Sequence, residues 1–162
     1  MAELTREEIT QYLSLGSQIG KKGHCVERIR RNPFLKEMEI DFNVPSYFSP
    51  HSYVTAIDYI QCINWASYLI VALNEDLSAD LQNYHFTLTK IENFEFKKVT
   101  PKDTEFTVKC RIAESGYDEQ RGHAKLEFFG DAIEGTMYYK AIRRDLAGRV
   151  FKKRHAATPD VQ

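Results

Sequence analysis

The residues best suited to chemistry are Tyr47, Thr55, Asp58 and Asn64, which precede or interrupt an apolar stretch at residues 53–73. A tyrosine hydroxyl and the backbone N–H groups at a helix N-terminus can donate hydrogen bonds to a developing oxyanion. An aspartate in a cleft of low dielectric constant can act as a general base or a nucleophile. The amide of Asn64 can hold a water molecule or a carbonyl group. These side chains therefore predict chemistry at a polarised carbonyl.

Each of these residues also has a structural interpretation, which the sequence leaves open. Asp58 and Asn64 can be buried polar groups that neighbouring strands satisfy, and Tyr47 can be an aromatic plug. The hydroxyl of Thr55 can belong simply to the first turn of a helix, and His51 can be a cap or a solvated side chain.

The stretch 53–73 predicts one long helix that is buried on most sides. Its apolar residues are interrupted by Thr55, Asp58, Gln61, Asn64 and Ser67. A surface helix would keep one polar face, whereas these residues are scattered. The helix is nevertheless too polar to predict a membrane span. Ser49, which precedes a proline, is a suitable N-cap, and Ser52 is a later alternative.

Helical geometry separates these polar residues. At about 100° per residue, Thr55, Asp58, Gln61 and Asn64 step around half of the circumference instead of lining one face. They cannot all contact one ligand within a single chain, so we expect a site that two copies of the chain share. A single sheet also covers only one side of so apolar a helix, which predicts a homodimer or higher homo-oligomer.

Hydrophobic periodicity predicts an α+β fold around this helix. Residues 5–15 form an amphipathic helix with a capping box made by Thr5 and Glu8. Residues 34–44 form the first strand. Four further strands follow at residues 85–99, 105–114, 123–129 and 133–142. A curved antiparallel sheet that wraps one long helix is an α+β solution for this order of elements.

Two charged segments accompany these elements. Residues 20–32 are polar and basic, and we interpret them either as a solvated loop or edge or as a site for a phosphorylated carrier. In the strand at residues 34–44, apolar and acidic residues alternate with period two, which places Glu37, Glu39 and Asp41 on a solvent-exposed face.

The same pattern sets the expected domain boundaries. We expect one domain over residues 1–155, with an N-terminal helical extension over residues 1–33. A short amphipathic piece at residues 148–154 precedes a flexible tail at residues 156–162.

Composition excludes several classes of function. A chain of 162 residues that is 43% apolar can bury a substantial core, and its formal charge of −1 gives no bulk attraction for nucleic acid or an anionic membrane. The cysteines, Cys25, Cys62 and Cys110, show no paired spacing, and the histidines are scattered. We therefore expect no disulfide, no metal site and a reducing compartment. The N-terminus has no apolar signal-peptide core, which predicts a cytoplasmic protein.

The central helix and its flank resemble the FcoT-type family of hot-dog-fold fatty acyl-CoA thioesterases. The resemblance is carried by Tyr47 and Phe48 before the helix and by the run TAIDYIQCINWASY, which contains Asp58 and Asn64. The later run FEFKKVTPKDTEFTVKCRI is similar to the strand, proline turn and strand of that family. The likeness spans residues 44–114.

The resemblance implies a hot-dog fold, in which a long helix lies in an antiparallel sheet. It also implies that the substrates are acyl thioesters of coenzyme A or acyl carrier protein, so that no separate cofactor is needed. The family's active site contains a tyrosine before the helix and asparagines on it, which correspond to Tyr47 and Asn64. Thr55 stands where the family has a second asparagine. To these catalytic candidates we add Asp58, and we expect Phe48 and His51 to bind substrate.

Three functions remain open. The first is hydrolysis of a fatty acyl thioester. The second, which relatives resembling this family perform, is addition of glycine to an α,β-unsaturated acyl thioester in β-amino acid or isonitrile lipopeptide biosynthesis, with or without hydrolysis. This reaction gives a 3-(carboxymethylamino)acyl product. It requires a cationic or hydrogen-bond-donating residue that binds the glycine carboxylate, for which His51, Lys140 and Arg143 are candidates. The third function is a non-catalytic acyl-binding module.

Overall fold

A seven-stranded antiparallel sheet is the framework of the fold. The structure, a computed structural model, describes residues 2–16, 25–32, 34–74, 83–118 and 120–146. In chain order its elements are β1 (Ala2–Thr5), α1 (Arg6–Gly16), β2 (Val26–Asn32), β3 (Glu37–Asn43), a short 3-10 helix (Ser46–Phe48), α2 (Ala56–Asn74), β4 (Tyr84–Phe96), β5 (Glu105–Tyr117), β6 (Arg121–Gly130) and β7 (Ile133–Arg143).

The strands lie in the order β1-β2-β3-β5-β6-β7-β4, so β1 and β4 form the two edges. All neighbouring strands pair antiparallel. The four strands predicted after the central helix are confirmed as β4 to β7, although β5 and β6 extend further toward their shared turn. The predicted α+β architecture, one long helix against an antiparallel sheet, is also confirmed.

Alternation along the strands gives the sheet an apolar inner face. Val108, Cys110 and Ile112 of β5 are buried, as are Leu126 and Phe128 of β6, whereas the residues between them point outward. This inner face packs with α2 in one hydrophobic core. The sheet therefore positions the helix that carries most of the candidate site residues.

The C-terminal part of α2 is buried all round. Every residue from Trp65 to Ala72 is at most 8% exposed. The N-terminal helix α1 also packs against α2, and its residues Ile9 and Leu13 are fully buried. One chain thus covers α2 more completely than a sheet alone would. The helix is long and apolar enough to cross a membrane, but 67% of that apolar window is buried inside the protein, as in a core helix.

The N-terminal segment differs from its prediction. The helix is present as α1, and its capping box is confirmed, because the backbone N–H and the hydroxyl of Thr5 donate to the Glu8 carboxylate at 2.8 and 2.9 Å. However, β2 is not a solvated loop or edge but an interior strand between β1 and β3. The predicted amphipathic piece at residues 148–154 and the tail at residues 156–162 lie outside the described residues.

The solvent-exposed face predicted for the strand at residues 34–44 needs one correction. Asp41 lies on the outer face of β3 but is only 3% exposed, because side chains of the neighbouring strands cover it. Arg30 of β2 donates two hydrogen bonds to its carboxylate, at 2.6 and 2.7 Å, and the Thr107 hydroxyl of β5 donates a third at 2.8 Å. The basic residues of β2 are thus partly neutralised within the sheet.

The prediction that the cysteines are unpaired is wrong, because Cys25 and Cys62 form a disulfide. The two residues are 37 positions apart in the sequence, so their spacing gave no signal. They meet because the residue before β2 lies beside the second turn of α2. Cys110 remains a buried free thiol. The reducing compartment that was inferred from unpaired cysteines therefore loses this support, and the cytoplasmic location stays a prediction.

We expect the disulfide to contribute about 3 kcal/mol to the free energy of unfolding, since it closes a long loop in the unfolded chain. Urea unfolding of the double variant Cys25→Ala/Cys62→Ala measures this loss against the wild type. Cys110→Ala is the control, because it removes a buried sulfur without removing a cross-link. Equal stability of the double variant and Cys110→Ala would contradict the expectation.

Candidate functional site

Helix α2 begins at a capping box made by Thr55 and Asp58. The Thr55 hydroxyl accepts a hydrogen bond from the backbone N–H of Asp58 at 3.2 Å. In return, the Asp58 carboxylate accepts bonds from the backbone N–H and the hydroxyl of Thr55, at 2.9 and 2.8 Å. The helix therefore starts at Ala56, and not after Ser49 or Ser52 as predicted.

Ser49 and Lys102 complete a polar cluster around Asp58. The Ser49 hydroxyl donates to the Asp58 carboxylate at 3.1 Å, and the Lys102 ammonium donates to both the hydroxyl and the backbone carbonyl of Ser49. Asp58 and Lys102 are 3% and 7% exposed. Burial by itself raises the pKa of Asp58, but the hydrogen bonds from Thr55 and Ser49 and the charge of Lys102 outweigh it and hold that pKa below its ordinary value.

This cluster determines what Asp58 can do. A carboxylate with a lowered pKa stays ionised near neutral pH and is a weak base. Asp58 instead anchors the start of α2. It contacts Ser49 in the turn before the helix, and Ser49 in turn contacts Lys102 in the turn between β4 and β5. The structure thus brings Thr55 and Asp58 together as a cap, and the catalytic roles predicted for them stay predictions.

The N-terminal half of α2 leaves one stripe uncovered. Ile57 is 75% exposed, Gln61 is exposed, and Ile60 and Asn64 are half-buried. These four residues occupy positions i, i+3, i+4 and i+7, which share one face of a helix. We call them the open stripe of α2. Asn64 lies at its inner end, where the helix enters the core.

The side-chain amide of Asn64 is oriented by a tyrosine from the sheet. The hydroxyl of Tyr139, on β7, donates to Oδ1 of Asn64 at 2.8 Å. Tyr139 is only 3% exposed, and this burial raises its pKa well above the ordinary value, so the hydroxyl keeps its proton. Because Oδ1 faces Tyr139, the NH₂ group is the donor that the amide can offer to a substrate.

The turn before α2 carries the other predicted residues. The ring of Phe48 meets Trp65 edge to face, with centroids 5.6 Å apart, which holds this turn beside the helical turn that contains Asn64. Tyr47 is 77% exposed, and it has no hydrogen bond to another described residue. His51 is exposed and lies 5.5 Å from the ring of Tyr53, centroid to centroid. Within one chain, the structure therefore leaves Tyr47 and His51 at the surface.

A pocket opens beside the start of α2. Its volume is about 430 Å³, and its lining includes Thr55 together with the aromatic residues Tyr53, Tyr59 and Phe96 and with Val99. Tyr53, Phe96 and Val99 are 46%, 42% and 73% exposed. The space and its apolar wall suit part of an aliphatic ligand. Among the residues that the structure describes, no cluster of three histidine, cysteine, aspartate or glutamate side chains could hold a metal ion.

Two contributors to these sites were missed by the sequence analysis. Lys102 belongs to a Thr-Pro-Lys-Asp turn, and nothing in such a turn predicts that its lysine is buried. Tyr139 occupies an inward position of an alternating strand. A buried tyrosine hydroxyl needs a hydrogen-bond partner, so this position carried a usable signal.

Comparison with known proteins gives the fold. No protein-family model and no curated protein matches the chain. A mutant thioesterase from Pseudomonas aeruginosa aligns with a TM-score of 0.55 at 10% identity, over 86% of this chain and 95% of that one. A thioesterase-superfamily member from Thermus thermophilus aligns with a TM-score of 0.52 at 12% identity, over 75% and 94%. A fluoroacetyl-CoA thioesterase aligns with a TM-score of 0.51 at 15% identity, over 76% and 95%. The chain has the hot-dog fold that the resemblance implied.

Proposed function

We propose that the chain is an acyl-thioester-processing enzyme, most simply a thioesterase of the FcoT type that hydrolyses a fatty acyl-CoA or acyl-carrier-protein thioester. The observation that carries the proposal is the amide of Asn64, oriented by buried Tyr139 on a stripe that also contains exposed Ile57 and half-buried Ile60. A fixed donor next to apolar surface suits a polarised carbonyl with an attached acyl chain. The fold neighbours, which include a fluoroacetyl-CoA thioesterase, support this substrate class.

In the proposed hydrolysis, water adds to the thioester carbonyl carbon, the C–S bond breaks, and a carboxylic acid and a thiol are released. The NH₂ group of Asn64 and the hydroxyl of Tyr47 donate to the carbonyl oxygen, whose negative charge grows as water adds. Phe48 and His51 contact the substrate beside Tyr47. Thr55 and Asp58 fix the start of the helix and thereby the position of Asn64.

We also propose that two copies of the chain form the working unit. Tyr47 is largely exposed, the open stripe of α2 is uncovered, and β4 is an edge strand. In this arrangement a second copy lies against the stripe and places its own Tyr47 beside Asn64. We further propose that the substrate is an acyl-CoA or is carried by an acyl carrier protein, and that the protein acts in the cytoplasm.

A second candidate reaction is the addition of glycine to an α,β-unsaturated acyl thioester. This reaction needs the same polarised thioester carbonyl, for which the amide of Asn64, oriented by Tyr139, would serve as a donor. In this reaction the neutral amine of glycine bonds to the β-carbon, and the π electrons move to the carbonyl oxygen. The new ammonium then loses one proton and the α-carbon gains one, so that no group leaves. The donors of Asn64 and Tyr47 would serve both reactions.

One assay separates these functions. The full chain is incubated with a saturated and with an α,β-unsaturated acyl thioester, on coenzyme A and on a carrier protein, with and without glycine. Free thiol and free acid indicate hydrolysis, and a thioester heavier by one glycine indicates addition. Tight binding without either product would overturn the enzymatic proposal in favour of an acyl-binding module.

The variant Tyr47→Phe is expected to lower kcat at least about tenfold, because one donor to the oxyanion is lost. Tyr53→Phe is the matched control, since Tyr53 is a neighbouring exposed tyrosine whose ring stays in the pocket wall and whose hydroxyl has no assigned role. Initial rates at saturating thioester measure both variants. Equal kcat for wild type and Tyr47→Phe would remove Tyr47 from the site.

A further inference from the structure

A second concave site lies on the face of the sheet that points away from α2. Its volume is about 890 Å³, and it crosses β4, β7, β6 and β5. Four residues form one row across these strands, because they are direct pairing partners: Thr87, Lys140, His123 and Gly116. We call this site the outer groove.

The register of the strands sends these side chains outward. Tyr139 and Ala141 on β7 and Ala124 on β6 are buried in the core. Strand alternation therefore turns Lys140 and His123, which lie next to them, toward the opposite face. The outer groove is thus separated from the core by the sheet and is distinct from the site around Asn64.

The glycine at position 116 leaves room for a neighbouring imidazole in the outer groove. A side chain at Gly116 would place its Cβ 2.7 Å from Cε1 of His123, which is too close for a real contact. The imidazole of His123 thus lies across Gly116, and its Nε2 is 3.3 Å from the Glu114 carboxylate. The row therefore ends at β5 in a glycine that the His123 imidazole covers.

Two basic side chains of the outer groove, Lys140 and Arg121, are not in ion pairs with described residues. Elsewhere on the outer face, basic side chains meet carboxylates, as in Arg111 with Glu127 and Lys109 with Glu39. Among the described residues, no carboxylate lies within ion-pair distance of Lys140 or Arg121, the two basic residues with permanent charge that line the outer groove.

One acidic residue also lines the outer groove and must be included. Asp118 accepts hydrogen bonds from the backbone N–H groups of Gln120 and Arg121, both at 2.7 Å. These bonds, and the nearby charge of Arg121, lower the pKa of Asp118. Asp118 therefore stays ionised, and its one negative charge against the two positive charges of Arg121 and Lys140 leaves the lining with a net charge of about +1.

We propose that the outer groove binds a phosphate-bearing small molecule of nucleotide size. A guanidinium offers a planar fork that matches two phosphate oxygens, an ammonium offers a second point charge, and the Thr87 hydroxyl can donate a neutral hydrogen bond. The volume lies within the range of sites for small organic ligands, about 300–1,000 Å³. Arg121 and Lys140 provide the binding charge, and the neighbouring sheet surface contacts the remainder of the ligand.

Isothermal titration of the full chain at low salt with inorganic phosphate, ADP and adenosine 3′,5′-bisphosphate tests the proposal. We expect the two nucleotides to bind, with a dissociation constant that rises at least about tenfold in Arg121→Ala and in Lys140→Ala, which corresponds to one lost charged contact. Binding should also weaken as salt is added. Preference for the 3′,5′-bisphosphate over ADP would identify the nucleotide of coenzyme A as the source of the phosphate.

Lys109→Ala is the matched control, because Lys109 is a basic residue on the same face that is paired with Glu39. It should leave nucleotide binding unchanged. Absence of nucleotide binding, or an equal effect of all three variants, overturns the proposal. The readout is binding and not turnover, so this result is independent of whether the chain hydrolyses thioesters.

Discussion

Replacing Asn64 with aspartate is expected to lower kcat for thioester hydrolysis by about 1,000-fold, near the upper limit for loss of one oxyanion donor. Aspartate has nearly the same shape, and its carboxylate can still accept the hydrogen bond from Tyr139. It has no N–H to donate, however, and its charge repels the oxyanion that forms as water adds. Steady-state rates with the best substrate measure the effect, and thermal unfolding confirms that the variant is folded.

The companion variant Tyr139→Phe tests whether the amide must be held in one orientation. The NH₂ group remains in Tyr139→Phe, but the amide can rotate, so we expect a loss in kcat of about tenfold with little change in KM. Tyr138→Phe is the matched control, because the adjacent hydroxyl bonds Glu92 on the outer face instead. If Asn64→Asp retained the wild-type kcat, Asn64 would have no part in the reaction.

The second large effect concerns stability. Arg30→Met is expected to lower the free energy of unfolding by about 3 kcal/mol, because it leaves the buried carboxylate of Asp41 without its main partner. Thr107 still donates to that carboxylate, and Arg28, 3.8 Å away, offsets part of the loss. Urea unfolding at pH 7 measures the change. Arg111→Met, which breaks an exposed pair with Glu127, should have little effect by comparison.

The same ion pair makes stability depend on pH in a defined direction. Burial by itself raises the pKa of Asp41, but the hydrogen bonds from Arg30 and Thr107 and the charges of Arg30 and Arg28 outweigh it and lower that pKa. A lowered carboxyl pKa contributes stability above the unfolded value of about 3.9, and the contribution is lost as the pH falls through the folded value. Asp41→Asn should therefore lose less stability than the wild type between pH 5 and about pH 2. An identical acid transition for both proteins would contradict this assignment.

Much of the fold could be predicted from the sequence because its signals are local. The apolar residues of α2 have no polar face, and strands β4 to β7 alternate with period two, so each pattern reflects burial directly. Thr5 with Glu8 was recognised as a capping box. Thr55 with Asp58 has a similar spacing and forms the same motif, but a shorter acid stands in the place of glutamate, and the chemical interpretation of Asp58 was preferred.

The missed features depend on contacts between distant parts of the chain. Strand β2 carries several charged residues, and they fit inside a sheet only because β3 supplies carboxylates such as Asp41 opposite Arg30. Cys25 meets Cys62 only after β2 lies beside α2. The contact between Tyr139 and Asn64 depends on the register of β7 relative to the helix. Sequence periodicity can indicate that such residues face inward, but it does not identify their partners.

The disulfide also changes the topology of the chain. Cys25 and Cys62 close a covalent ring that contains β2, β3 and the turn with Tyr47 and Phe48, whereas Asn64 lies just outside it. A protease that cuts once inside the ring opens it without releasing a fragment. The cut protein keeps its full mass, plus one water molecule, until the disulfide is reduced. The segment that presents Tyr47 thus stays tethered to the central helix even after its backbone is broken.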